Sequence, residues 1–333
     1  MEKFVIPHTA FATAQRRIEQ CFNHSAGQGA RGLAIVGESG TGKSSALESF
    51  ESEHAPVRRD DGMYVPVLLV TLPSGPTVKS LAGKLLEGFS APDPERGTEN
   101  EKSRRLRKLM KESGTRMVMI DEFQHFYDRG KRQIMHNVAD WLKVLIDDTA
   151  TTLVVAGLPH CTNVIDANEQ LARRFLAPIQ LPRFSWKDIG QRQQFIRIVK
   201  SFHVEMAKQY KLPELHNEEM SFRLYCASGG LIGHLAKLLV QALWNGEDGK
   251  TDSITLNDLA AAHEQSAWDS ENLLGIPNPF DRNFQLVASV DLMDRVSKIG
   301  KKIEDEPEYK KQNDGEFKRG KRKQSINALL VTS

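Results

Sequence analysis

The run Gly37-Glu38-Ser39-Gly40-Thr41-Gly42-Lys43-Ser44 fits the spacing G-x-x-x-x-G-K-[ST] in full. The chemistry of that spacing is polyphosphate binding. A glycine-rich turn that opens into a helix points successive backbone N–H groups at one spot, and the helix N-terminus adds partial positive charge there. Gly37, Gly40 and Gly42 permit the close backbone approach and positive φ angles that side chains would block. Lys43 should reach the β- and γ-phosphates, Ser44 Oγ should ligate Mg²⁺, and Ser45 opens the helix behind them as part of the same cradle. A second pair, Asp121-Glu122, closes the apolar run Met117-Val118-Met119-Ile120. Acids at the C-terminal end of a buried parallel strand stand where open α/β sheets take their ligands. Asp121 would hold Mg²⁺, mostly through water, and Glu122 would orient and deprotonate an attacking water. The two stretches together predict a site for ATP and Mg²⁺.

These groups need elements to place them. Leu33-Ala34-Ile35-Val36 reads as the short buried strand that feeds the glycine turn, and residues 45–51 as the helix that follows. Residues 65–71, 116–120, 151–157 and 179–181 read as further strands. Between them, Thr77 caps a helix through Val78, Leu81, Leu85 and Leu86, a basic helix runs from Lys102 to Lys111, and a third covers residues 134–147. Strands alternating with helices at this rhythm predict an α/β fold with a doubly wound parallel sheet. Upstream, residues 4–7 are extended and a helix from Thr9 carries Phe11, Ala14, Ile18 and Phe22 on one face. From Ser185 the pattern turns to helices alone, over 186–210, 217–227, 231–244 and 255–268. The expected organisation is an N-terminal extension over 1–31, a nucleotide-binding domain over 32–183, a small helical lid over 184–270, and a flexible charged tail over 271–333. The tail is expected to be disordered alone, because Glu304-Asp305-Glu306 and the Lys318 to Lys323 cluster leave little apolar surface to repay ordering entropy.

Composition narrows the class further. The chain has 333 residues and a net charge of +2, enough for two domains with ordinary cores and without a general basic bias. No apolar run reaches membrane-spanning length, and the N-terminus lacks a charged-then-apolar leader pattern. Cys21, Cys161 and Cys226 are scattered without metal-ligand spacing, which predicts reduced, buried thiols in a cytoplasmic protein with no membrane partner.

The phosphate loop, the Asp-Glu strand end, the Gln170-Leu171-Ala172-Arg173-Arg174-Phe175 run and the helical lid together resemble the AAA+ ATPases. Within them the text is most similar to the TnsC/TniB transposition ATPases of Tn-type mobile elements. It carries that resemblance in Ile120-Asp121-Glu122-Phe123-Gln124-His125, Val155-Ala156-Gly157-Leu158-Pro159, the Arg-Arg-Phe run and Ser228-Gly229-Gly230-Leu231-Ile232-Gly233-His234-Leu235. The resemblance covers roughly residues 5 to 265. It implies homo-oligomeric rings or filaments around double-stranded DNA, with ATP at the subunit junction and an arginine finger from the neighbour, here Arg173 or Arg174. It also implies a target-selection protein and transposase subunits as partners, with the tail as a recruiting segment. DNA phosphates would be gripped by Lys79 and Lys84, by Arg104, Arg105 and Arg107, or by Arg129, Lys131 and Arg132.

Two positions depart from the family pattern. Ala156-Gly157-Leu158 stands where a polar residue usually ends the strand after the Asp-Glu strand. His234, with Lys237 one turn on, stands where the lid usually carries an arginine that faces the nucleotide. Slow hydrolysis is the expectation, since neutral imidazole stabilises phosphate less than guanidinium does. The same core would also suit an initiator-like or clamp-loader-like ATPase, a P-loop small-molecule kinase, or a scaffold that binds ATP without hydrolysing it.

Overall fold

A computed structural model describes residues 8–24, 31–60, 62–128, 132–266 and 274–301. The chain divides into one unit over residues 1–300 and a second over 301–333, and only Lys301 of the second is among the described residues.

The centre of the first unit is a five-stranded parallel sheet made of β1 (Gly32–Val36), β4 (Val67–Thr71), β5 (Met117–Asp121), β6 (Thr152–Gly157) and β7 (Ile179–Gln180), in the order β4-β5-β6-β1-β7. Residues of each central strand alternate between two cores. Leu33 and Ile35 of β1, Met117 and Met119 of β5, and Val154 and Ala156 of β6 face one side. They pack there with Ala14, Ile18 and Phe22 of α1 (Thr9–Asn23) and Leu47 and Phe50 of α2 (Lys43–Glu53). Their neighbours Ala34, Val36, Val118, Ile120, Leu153 and Val155 face the other side. That core is completed by α3 (Val78–Gly88), α4 (Glu99–Glu112) and α6 (Arg132–Thr149). A sheet covered on both faces explains why its strands read as unbroken apolar runs rather than as alternating ones. This is the doubly wound α/β arrangement that the rhythm of the sequence predicts.

Thr77 caps α3 and Thr98 caps α4, each in a reciprocal box with the residue three positions on (Ser80 and Glu101). A small antiparallel hairpin, β2 (Val57–Arg59) with β3 (Gly62–Tyr64), precedes β4. Three short helices, α5 (His125–Asp128), α7 (Thr162–Asp166) and α8 (Glu169–Ala172), fill the connections around the C-terminal strand ends.

Beyond β7, a separate apolar core gathers α9 (Ile189–Met206), α10 (Glu218–Ser228), α11 (Ile232–Asp248) and α12 (Leu256–Ser266). No single helix among the described residues is long and apolar enough to cross a membrane, and the pair α10–α11, bent by 106°, packs inside this core.

The stretch after residue 271 departs from the expected flexible tail. Phe280, Phe284, Met293, Val296 and Ile299 are buried against the helical core, and α13 (Val290–Val296) forms there behind a Ser289 cap. Arg223, itself buried, fastens the segment by donating to the carbonyls of Pro279 and Asp281 at 2.6 and 2.9 Å. Sparse apolar anchors suffice because the helices already present a pocket for them. Residues 302–333, with both charge clusters, lie outside the described residues.

Candidate functional site

The loop of residues 37–44 leaves the C-terminal end of β1, where the neighbouring strand ends at Gly157. Gly40 and Gly42 take φ of +77° and +93°, conformations that L side chains resist. Gly37 supplies the close backbone approach: a Cβ there would lie 2.4 Å from the Leu181 carbonyl, so close packing excludes any side chain. No heavy atom lies within 4 Å of the Cβ position of Gly42, so that side of the loop is open.

Lys43 begins α2 and is only 8% exposed. Its ammonium donates to the carbonyls of Gly37 and Glu38 at 2.9 and 2.8 Å. Burial holds its pKa below the usual lysine value, although the charges of Asp121 and Glu122 pull the other way. Both acids thus lie within range of the lysine's charge. Burial raises the Asp121 pKa, opposed by its hydrogen bond with Ser44 and by the Glu122 N–H, which donates to Asp121 Oδ1 at 2.8 Å. A hydroxyl and a carboxylate already in contact form a hard oxygen pair suited to Mg²⁺. The buried ammonium and the open amide turn suit phosphate. The donors thus fit both groups that the sequence implies.

Glu122 adopts φ of +57°, a left-handed conformation that costs a non-glycine residue roughly 1–3 kcal/mol. Its carboxylate receives a hydrogen bond from Gln124 Nε2, and His125 Nε2 lies 3.9 Å away. Gln124 is a residue that the sequence motif alone gave no role. Cys161 lies buried beside Gly157, and burial pushes its thiol up to about 12, so it is a neutral neighbour of the site. All three cysteines are free and buried.

The lid turn reaches the same loop. The Gly233 N–H donates to the Gly40 carbonyl at 2.8 Å, and the His234 ring lies 3.6 Å from the Cβ position of Gly40. His234 is held below the ordinary histidine pKa by burial first, then by the charges of Lys237 and Arg183, while Lys237 itself is exposed. Of the two candidates, His234 is the one brought to the loop. No motif in the sequence marks Arg183 as a site residue. It pairs bidentately with the Glu38 carboxylate and donates to the carbonyls of Gly229 at 3.2 Å and Ile299 at 2.9 Å. The Glu38 side chain, expected in the cradle, is thus engaged by Arg183.

The remaining candidates scatter. Arg173 is 74% exposed and pairs with Glu169 of its own turn, whereas Arg174 is 31% exposed and bridges to Asp147 of α6 at 2.6 Å. Lys79 is exposed, and Lys84 pairs with Glu87 at 2.7 Å. Only part of the charge on the basic helix α4 faces outward, where Arg104, Lys108 and Lys111 are exposed. Lys102 is fully buried against Glu95, Arg107 is bound to Asp148 at 2.7 Å, and Arg105 donates to the carbonyls of Pro92 and Asp93, leaving Arg104 exposed. Arg129 and Lys131 lie outside the described residues, and Arg132 is exposed at the start of α6.

The fold places this chain in a known class. The Cdc6p structure from Pyrobaculum aerophilum superposes with a TM-score of 0.58 at 14% identity, over 82% of this chain and 72% of that one. The ORC2 protein of Aeropyrum pernix, solved as ADPNP–ADP complexes, gives 0.56 at 13% identity, over 82% and 73%. The ORC1 protein of the same organism, solved in complex with DNA, gives 0.54 at 17%, over 82% and 69%. The architecture is that of the AAA+ P-loop ATPases. Within that class, the family described as the bacterial TniB protein matches residues 1–186, and the chain belongs to it. Comparison with curated proteins returns no match.

Proposed function

We propose that this protein is an ATP-dependent, DNA-binding regulator of DNA transposition, which assembles as a ring or filament and links a target-selection protein to the transposase. The observation that supports it most is the convergence of Lys43, Ser44, Asp121 and Glu122 at the strand ends of a TniB-family chain. When bound, Mg²⁺ supplies charge neutralisation for the transferred phosphoryl group. Lys43 binds the phosphates, Ser44 and Asp121 hold the cation, and Glu122 orients and deprotonates the attacking water. Hydrolysis is slow, because the neutral His234 imidazole replaces the lid guanidinium that this class commonly uses.

Arg173 is the finger offered to a neighbouring subunit. Its partner is a surface glutamate on its own turn, which an exposed pair releases at little cost, whereas Arg174 is engaged by Asp147. Among the described residues of the three basic groups, Lys79, Arg104 and Arg132 are the exposed ones and the first choices for DNA phosphates. Phosphate contacts carry no base information, so binding is insensitive to sequence and falls steeply with salt. The likeness to Cdc6p and the ORC proteins is one of fold and adds no argument for a replication role. The test is electron microscopy of the protein on duplex DNA with a non-hydrolysable ATP analogue. Regular assemblies that need both nucleotide and DNA support the reading; a monomer unaffected by either overturns it.

A further inference from the structure

Strand β6 ends in a residue with no side chain, and the polar group at that point comes from elsewhere. Gln124 sits in the turn after β5 and is buried. Its Oε1 accepts from the Leu158 N–H at 3.1 Å. A backbone N–H can only donate, so this bond fixes the amide orientation and turns Nε2 toward the Glu122 carboxylate, to which it donates. A Cβ added at Gly157 would meet Gln124 Oε1 at 2.5 Å. Cys161 Cβ and Sγ follow at 3.1 and 3.2 Å, so the space a side chain at the strand end would need is filled first by Gln124 and bordered by Cys161. Glu122 is further constrained by its left-handed backbone, with its N–H bound to Asp121.

We infer that Gln124 is a positioning residue for Glu122, doing from the β5 turn what a polar side chain at position 157 would otherwise do from β6. Resting on the hydrolytic reading above, it makes Gly157 and Gln124 an interchangeable pair: a side chain at one position requires its absence at the other. Through the Leu158 N–H, the carboxylate is tied to the backbone that leads into residues 159–161, so a shift of that backbone moves the group that prepares the water.

The test compares Gln124→Met, which keeps length and volume but removes both hydrogen bonds, with the double variant Gln124→Ala/Gly157→Asn, which empties the space and refills it from β6. Affinity for a fluorescent ATP analogue and the thermal unfolding midpoint are measured beside kcat. Displacing a reacting group by about 1 Å costs on the order of a hundredfold in rate. Gln124→Met should therefore lose about that much kcat while binding the analogue as tightly as the wild type, and the double variant should recover most of it. Wild-type kcat in Gln124→Met overturns the inference. So does a folded double variant that stays as slow as Gln124→Ala alone, and this comparison decides the matter if Gln124→Met proves unstable. Glu122→Gln is run alongside: if it hydrolyses ATP like the wild type, the hydrolytic reading itself fails. If it is inactive while Gln124→Met is normal, only the role of Gln124 fails.

Discussion

At the scale of single residues, two buried bases with pKa values lowered by burial differ in their surroundings. Burial lowers the Lys43 pKa, but the charges of Asp121 and Glu122 oppose that shift and two carbonyls accept from its ammonium. Charge-assisted hydrogen bonds contribute about 1.5–3 kcal/mol each. Lys43→Ala should accordingly weaken ATP binding about a hundredfold, measured by titration with a fluorescent analogue, and unchanged affinity would remove Lys43 from the site. His8 has no such company. Its Nδ1 accepts from the Phe11 N–H as the N-cap of α1, its Nε2 is buried without a hydrogen-bond partner, and burial lowers its pKa to about 4. A free histidine titrates near 6.5. Between those two values the unfolded chain takes up a proton that the folded chain refuses, so folding stability from His8 falls as the pH drops from about 6.5 to about 4. His8→Asn retains a capping acceptor without a titrating ring. Denaturant midpoints across that pH window should decline less steeply in this variant than in the wild type.

At the scale of elements, Arg183 is the tie between the phosphate loop, the lid turn and the segment that ends at Ile299. Its contacts join residues 145 positions away at Glu38 and 116 away at Ile299. Arg183→Met should leave the sheet core intact but loosen the loop and the lid turn. Hydrogen exchange should accelerate at residues 37–42 and 229–235 and stay slow in β5 and β6; uniform protection would mean that the tie holds nothing. Long reach is also why Arg183 was illegible in the sequence, where it is one arginine between Pro182 and Phe184. What was legible has a local cause. The phosphate loop is specified by glycines whose φ angles no other residue adopts readily, and the strands by apolar runs that a two-faced burial requires. Thr77 announced α3 because capping is local. The β2–β3 hairpin escaped notice because its three-residue strands are mostly exposed and show no periodic pattern. Gln124 stands two residues after Glu122 in the Asp-Glu motif, yet its role depends on the absence of a side chain at Gly157, more than thirty positions later.

At the scale of the whole molecule, the boundary of the C-terminal segment changes what a truncation reports. Cutting after residue 268 would strip Phe280, Phe284, Met293, Val296 and Ile299 from the helical core. Burial of one phenylalanine of this kind is worth about 3–5 kcal/mol when truncated to alanine. That cut should therefore lower the unfolding midpoint markedly, whereas a cut after Lys301 should leave it near the wild-type value. Only the second variant can report on recruitment by residues 302–333. Equal stability of both would contradict the packing of Phe280. For assembly, Arg173→Ala mixed with Glu122→Gln protein separates the two arginines. If Arg173 acts across a subunit boundary, the mixture regains hydrolysis at junctions that pair an intact finger with an intact Glu122, and Arg174→Ala should instead lose stability through Asp147.

We propose that this TniB-family chain hydrolyses ATP with Glu122 as the group that prepares the water. Steady-state phosphate release by wild type and Glu122→Gln, on duplex DNA with ATP and Mg²⁺, tests it most directly. Slow turnover by the wild type is expected, with loss of at least about a hundredfold in Glu122→Gln and ATP still bound. Phosphate release by Glu122→Gln at the wild-type rate would contradict it.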